Sequence, residues 1–417
     1  MDINQRNITM GCARNNILNF KDILCMGASI MLALYIFFSH LKYSFSSTYF
    51  LYISFILIMG SLIIQRKIVI SKQIGVFLCI ILITAIGVWY TSCPSDGIRQ
   101  LTFFLIYFFI FLLALQNNKF ITNITTLMYL FSLIGMITVY IQFLFPSIFN
   151  SFLPRLVRAE TVGSILWSYN VDRAFTGITA SVSIASFSMA IVFFASVQKI
   201  LDFNSDRNGI RRRRFKFVKI VHFLIAILSL FGIILTSKRG IFIATIVALS
   251  LTLLLDKDIM LRKMNRNQII MLVIGIIALI CLVIYLFTTN DYAISFLERF
   301  TGENVMTGRD VFYENALKDF LNSSLFNYIF GKGTGAAYII NDTGLHNVYL
   351  QILYDHGIIG IILYIVFFVN NLRSAVLRRK FYSMCLQIVF LAYCMSGNPL
   401  YDYYFFIPYL LYSCYQD

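Results

Sequence analysis

Long apolar runs alternate with short polar breaks along nearly the whole chain. A helix that crosses a membrane needs about 17–25 apolar residues. Runs of this kind lie near 23–39, 47–65, 75–92, 100–115, 124–145, 177–198, 218–236, 241–255, 269–288, 357–370, 382–395 and 400–415. The pattern therefore predicts an all-α polytopic membrane protein with about twelve spans in one membrane domain, residues 1–417. The runs 241–255 and 357–370 are short, which leaves eleven spans or a re-entrant segment as the alternative. Two polar stretches are longer than a turn, 146–176 and 289–356. The first apolar run follows a polar start and has no small-residue cleavage site, so it reads as a retained helix.

Composition agrees with this pattern. Hydrophobic residues make up 59% of the 417 and charged ones 13%, against roughly 25% charged in soluble domains. A net charge of +15 would suggest nucleic acid in a soluble chain. Here it reads as basic loops that orient membrane helices, so no nucleic-acid partner is expected. With the N-terminus in the cytoplasm, the cytoplasmic segments hold 22 Lys and Arg in 84 residues and the outer segments 11 in 121. That bias puts both termini inside and the 146–176 and 289–356 loops outside. Arg211 to Arg214 then form a topology anchor that also touches anionic lipid. Asp256-Lys257-Asp258 looks like a metal clamp but lies at the cytoplasmic end of a span, as a solvated helix end would. The spans are almost free of charged groups and histidine: Lys219 sits at a membrane edge, and His222 and Asp402 are the exceptions, both near ends. The eight cysteines form no C-x-x-C pair, and the outer loops hold no His pair at metal spacing and no G-x-S-x-G. Neither a metal nor another cofactor is expected.

The outer face nevertheless carries cations where topology disfavours them. Arg155, Arg158 and Arg173 lie in the 146–176 loop, Lys238 and Arg239 in a very short turn, and Arg309 in the long loop. Arginine suits phosphate because its planar fork donates two parallel hydrogen bonds and keeps its charge. Residues 308–321 read as an amphipathic helix with Phe312, Tyr313, Ala316, Leu317, Phe320 and Leu321 on one face. Thr307 and Asp310 would cap it, and Arg309 would project from its first turn, where free N–H groups favour an anion. Gly331-Lys332-Gly333-Thr334-Gly335 lacks a P-loop ending. It reads either as a turn that lets backbone approach something closely or as a plain turn. His346, beside Asn347, could take a proton from a hydroxyl near neutral pH. His356 is the competitor and reads as interfacial packing.

In this order, these residues resemble the O-antigen polymerase and O-antigen ligase superfamily of membrane glycosyltransferases. Thr236-Ser237-Lys238-Arg239-Gly240 resembles the family's short [ST]-x-R turn, and Thr307-Gly308-Arg309 its loop G-R. Gly331-x-Gly333, then His346-Asn347-x-x-Leu350 and Gly357-x-x-Gly360, resemble its closing signature. Arg173-x-x-x-Gly177 is similar to its R-x-x-G entry to a span, with one extra residue. The resemblance implies a metal-independent transferase in the bacterial inner membrane, with an undecaprenyl-pyrophosphate-linked oligosaccharide as substrate at the periplasmic face and 289–356 as the catalytic loop. His346, Arg309 and Arg239 would be catalytic, and Arg173, Lys238, Gly333, Asn347 and Arg158 would bind substrate. Membrane lipids and a chain-length regulator protein are the further partners it brings into view. A polymerase is favoured over a ligase, and a flippase or transporter is the rival from another class. A flippase predicts internal repeats and broken helices with buried polar groups, and the apolar pattern gives neither.

Overall fold

The computed structural model describes residues 3–42, 47–65, 68–179, 181–205, 212–255, 308–342 and 344–415. In chain order the helices are α1 (Ile3–Phe38), α2 (Ser47–Ile64), α3 (Lys72–Tyr90), α4 (Pro94–Gln116), α5 (Asn118–Leu144), α6 (Pro146–Leu156) and α7 (Ala159–Asn170). Next come α8 (Val182–Ser205), α9 (Arg212–Leu235), α10 (Arg239–Leu255), α11 (Arg309–Leu321) and α12 (Leu325–Phe330). The chain ends with α13 (Val348–Leu377), α14 (Phe381–Tyr393) and α15 (Tyr403–Cys414). Among the described residues there is no strand, and the protein is all-α and polytopic. The expected span at 269–288 lies outside the described residues, as do Asp256 to Asp258.

Among the described residues, seven helices are long and apolar enough to cross a membrane, and three more apolar ones are shorter. Local chemistry sets several starts. Asn117 accepts from the Phe120 amide at 3.1 Å and opens α5. Asn347 accepts from Leu350 at 3.1 Å and opens α13. Pro94 opens α4, where its missing N–H costs nothing. On α3, Leu78, Leu82, Ile86 and Trp89 are exposed at helical spacing, an apolar stripe suited to lipid. The opposite face buries Phe77 among Phe104, Phe111, Phe367 and Phe406.

The structure corrects three boundaries. The expected 357–370 span is part of α13, thirty residues long, and non-helical only at Gly357 (φ 63°, ψ −161°). Asp355 and His356 are consequently buried inside a helix that the apolar pattern starts after them. A break flanked by buried polar groups is thus present, although the sequence reading found none. The spans at 382–395 and 400–415 contract to α14 and α15, of 13 and 12 residues. At about 1.5 Å per residue, neither alone covers a ~30 Å apolar layer. Both are almost wholly buried, stacking Phe390 on Tyr409 at 4.3 Å. They form the interior of the bundle.

The 146–176 loop is mostly helical. Its α6–α7 junction is pinned to the end of α1, with Lys42 N–H donating to Leu156 O at 2.9 Å and Arg158 N–H to His40 O at 3.2 Å. After α7 the chain returns to the bundle, and Phe175 N–H donates to Leu235 O at the end of α9 at 3.1 Å. The loop segments 40–42, 146–177, 236–238, 308–347 and 394–402 therefore share one end of the molecule.

Candidate functional site

The turn between α9 and α10 is three residues, Thr236 to Lys238. Thr236 Oγ1 donates to Ile233 O at 2.6 Å and also meets the Ser186 hydroxyl of α8. Ser237 adopts φ 54°, which reverses the chain so that Arg239 is the first residue of α10. Gly240 in that first turn lies against the end of α14. A Cβ there would sit 2.4 Å from Ser396 Oγ. Beside it, the Lys238 ammonium lies 5.7 Å from the Tyr393 ring centroid.

The long loop brings a second cation to the same place. Arg309 is the first residue of α11, and its Nη1 donates to Ser396 O at 2.9 Å. The residue before the helix is Gly308 in the left-handed region (φ 76°), with no side-chain cap. The expected Thr307–Asp310 capping pair falls on Thr307, which lies outside the described residues. Ala316 and Phe320 are buried on the expected face and Phe312 packs with them, but Leu317 and Leu321 are exposed. The packed stripe is narrower than the sequence suggested.

His346 completes the cluster. Its flanks are fixed, with Leu345 N–H donating to Gln351 Oε1 at 3.3 Å and Val348 N–H to Cys394 O at 2.9 Å. Its own carbonyl accepts from the Tyr313 hydroxyl of α11 at 3.2 Å. The backbone at His346 is left-handed (φ 52°). Burial holds the imidazole pKa down at about 4, and the Arg309 and Lys238 charges push the same way. The ring therefore stays neutral and able to accept a proton, within reach of two cationic charges at the starts of α10 and α11. Such an arrangement can hold a polyanion and deprotonate a hydroxyl next to it.

Other candidates sit elsewhere at this end. Arg173 is exposed with φ 49°, two residues before the Phe175–Leu235 link that leads to the Thr236 turn. Arg158 heads α7 beside His40, whose pKa is lowered first by burial and then by the Arg158 charge. Arg155 lies over the Phe152 ring at 5.6 Å. Asn347 acts as the α13 cap described above.

Gly333 makes the close approach expected of its turn, and what approaches is the chain itself. Its missing Cβ would lie 2.6 Å from Thr91 Cα and 2.8 Å from Gly87 O. Gly331 packs on the Asp355–His356 peptide in the same way. The turn wraps the break in α13. Lys332 N–H donates to Tyr354 O at 2.9 Å and Gly333 N–H to Asp355 O at 3.0 Å. The Asp355 carboxylate accepts from the Ala337 and Gly335 amides at 2.8 and 3.3 Å. His356 is fully buried, stacked on Tyr364 at 6.2 Å, with neither ring nitrogen hydrogen-bonded within the protein.

Tyr313, Tyr393 and Ser396 belong to the cluster; the sequence offered Tyr313 only as part of an apolar helix face and did not single out the other two. Their signals were faint: a tyrosine on the inner face of a loop helix, and a Ser-Gly-Asn-Pro turn between apolar runs. Among the described residues, no three His, Cys, Asp or Glu side chains gather as metal ligands.

Fold and site together define a polytopic helical membrane protein with a cation-rich, histidine-bearing cluster at one end. Residues 224–365 match a family described as O-antigen ligase, and the match supports the O-antigen ligase and polymerase superfamily without separating the two. The matched segment holds Lys238, Arg239, Arg309, Gly333, His346 and Asn347, and leaves out Arg158 and Arg173. No curated protein matches the chain.

Proposed function

We propose that the protein is a surface-polysaccharide polymerase of the bacterial inner membrane, joining undecaprenyl-pyrophosphate-linked repeat units at the periplasmic face. The observation that carries this reading is the convergence of Lys238, Arg309 and His346 on the end of α14, within the family-matched segment. Arg309, Arg239 and Lys238 hold the donor pyrophosphate, whose charge grows as it leaves. His346 takes the proton from the acceptor hydroxyl. The new bond joins that oxygen to the donor sugar's C1, the C1–O bond to phosphate breaks, and undecaprenyl pyrophosphate departs. The cations neutralise the leaving group, so the reaction needs no metal. Arg173 and Arg158 extend the basic surface along which the donor arrives.

The second reading is a ligase that passes the glycan to lipopolysaccharide core, and the family's own description favours it. The two readings differ in acceptor alone. Surface glycan from a deletion strain separates them. A polymerase leaves single repeats on core, whereas loss of a ligase leaves bare core with lipid-linked polymer. Build-up of lipid-linked repeats on the cytoplasmic face would overturn both in favour of a flippase.

A further inference from the structure

The short helix α12 is poorly suited to water. It reads Leu-Phe-Asn-Tyr-Ile-Phe from Leu325 to Phe330, apolar or aromatic at every position but Asn327, yet none of its residues is fully buried. Leu325 is 76% exposed and Phe326 51%. So short a helix does not persist on its own hydrogen bonds. Its place is nevertheless fixed. The Ser324 hydroxyl accepts from the Asn327 amide at 3.3 Å and caps it, and the Tyr90 hydroxyl of α3 donates to Phe330 O at 2.8 Å. Gly357, at the break in α13, packs on Ile329, where a Cβ would lie 2.5 Å from the Ile329 carbonyl oxygen. The Tyr328 hydroxyl donates back to Leu321 O at 2.6 Å, and its ring lies 5.1 Å from that of Phe320 on α11.

Both anchoring helices put α12 at the same height. At about 1.5 Å per residue, α3 rises roughly 27 Å from Lys72 to Tyr90, and α13 runs roughly 30 Å from Gly357 to Leu377. Those lengths match an apolar layer of about 30 Å, so α12 lies along its edge, on the side of the His346 cluster. The exposed α3 stripe of Leu78, Leu82 and Ile86 ends at Trp89, which is 93% exposed. The next residue, Tyr90, meets the Phe326 ring at 5.4 Å. Leu325 and Phe326 therefore prolong the lipid-facing surface of α3, and Trp89 and Tyr90 mark the boundary as interfacial aromatics do. The attraction is apolar. No charged residue lies in α12, and the Lys332 ammonium just after it is engaged by Asp319 at 2.6 Å.

We propose that α12 is an interfacial helix that inserts Leu325 and Phe326 into the bilayer between headgroups and acyl chains, anchoring the long loop to lipid beside Trp89. Such helices seat their apolar face about 5–10 Å into the headgroup and acyl boundary. The anchoring is independent of the transferase reading. The test is tryptophan quenching in the full-length protein reconstituted in phosphatidylcholine vesicles. Trp89 and Trp167 are the chain's two tryptophans, so Trp89→Phe with Trp167→Phe gives a tryptophan-free background for Leu325→Trp. Glu314→Trp, at an exposed position of α11, is the aqueous reference. Phosphatidylcholine brominated high on its acyl chains should quench Leu325→Trp several-fold more strongly than Glu314→Trp. Iodide present on both sides of the membrane should give the reverse order, and the Leu325→Trp emission should be blue-shifted from the reference. Adding anionic phosphatidylglycerol should change neither order. Equal quenching of both sites by iodide would overturn the proposal. Protection of Leu325→Trp from both quenchers would mean that protein covers the patch, and would overturn it too. Phe326→Trp, which keeps a ring against Tyr90, makes the same measurement decisive if Leu325→Trp does not fold.

Discussion

Two histidines ten residues apart are assigned opposite roles, and substituting each should separate chemistry from packing. His346 is half-buried in a loop whose position is set by backbone bonds at Leu345 and Val348 and at its own carbonyl. His346→Ala keeps all three. Its unfolding temperature should stay close to wild type, while transfer slows by roughly 10²–10⁴-fold, the usual worth of a positioned base. At 1.36 kcal/mol per decade that is about 3–5 kcal/mol of barrier. His356 is fully buried between Tyr364 and Gly360, where even a Cβ on the glycine would lie 2.2 Å from His356 Cβ. Truncating a buried ring typically costs about 3–5 kcal/mol. Part of that is returned because two ring nitrogens without protein partners are removed, worth about 1–3 kcal/mol. His356→Ala should therefore lose about 2 kcal/mol of stability, yet keep most of its turnover per folded molecule. His356→Phe, which keeps the ring and discards the unpaired nitrogens, should be as stable as wild type. The assay is thermal unfolding of purified protein beside glycan transfer from lipid-linked donor, normalised to folded protein. A fully active His346→Ala, or an inactive His356→Ala of wild-type stability, would refute the assignment.

Two further outcomes follow from the cluster around the end of α14. Gly240→Ala puts a Cβ 2.4 Å from Ser396 Oγ and displaces the residue whose carbonyl holds Arg309. Donor turnover should fall about tenfold or more, and adding Ser396→Ala, which removes the clashing oxygen, should recover much of it; a silent Gly240→Ala would argue against this contact. The acid limb of kcat/KM, which reports the free enzyme, should lie near pH 4 and not at the ordinary histidine value of about 6.5. Burial, Arg309 and Lys238 all disfavour the protonated ring, so the base form persists as pH falls until that lowered pKa is crossed. Bound pyrophosphate offsets both cations, and the limb of kcat should consequently move upward; a kcat/KM limb at 6.5 would show that His346 is not the base.

Most of the scaffold was legible in the sequence because apolar periodicity is a local property. The 75–92 run became α3 at Lys72–Tyr90, and the 124–145 run became most of α5. The misses arose where a distant segment changes what a local pattern can tolerate. The start of α13 is the clearest case. Asp355 looks too polar to be buried, yet the Gly335 and Ala337 amides, twenty and eighteen positions earlier, solvate its carboxylate. No window of hydropathy contains that information. The glycine turn failed in a complementary way. Its need for close approach was readable from three glycines in five residues, but its partner was not, because spacing says nothing about Gly87 or Thr91.

The cluster is built from four segments far apart in the chain, and its backbone shows where the fold is forced. Among the described residues, four that are not glycine adopt positive φ: Arg173, Ser237, His346 and Arg379. Such conformations cost about 1–3 kcal/mol each and persist only where surrounding structure over-determines them. Arg379 lies in the turn between α13 and α14, while the other three are at, or immediately before, a residue singled out for chemistry. At Ser237 the reversal lets α10 begin at Arg239, directing its free N–H groups toward the Lys238 side. At His346 it lets the chain turn between the Gln351 tether and the Cys394 tether, leaving the imidazole within the influence of Arg309 and Lys238. Relaxing either residue to an ordinary conformation would turn the following helix away from the end of α14. A short motif at each reversal can therefore mark this site more sharply than the long apolar runs that carry it.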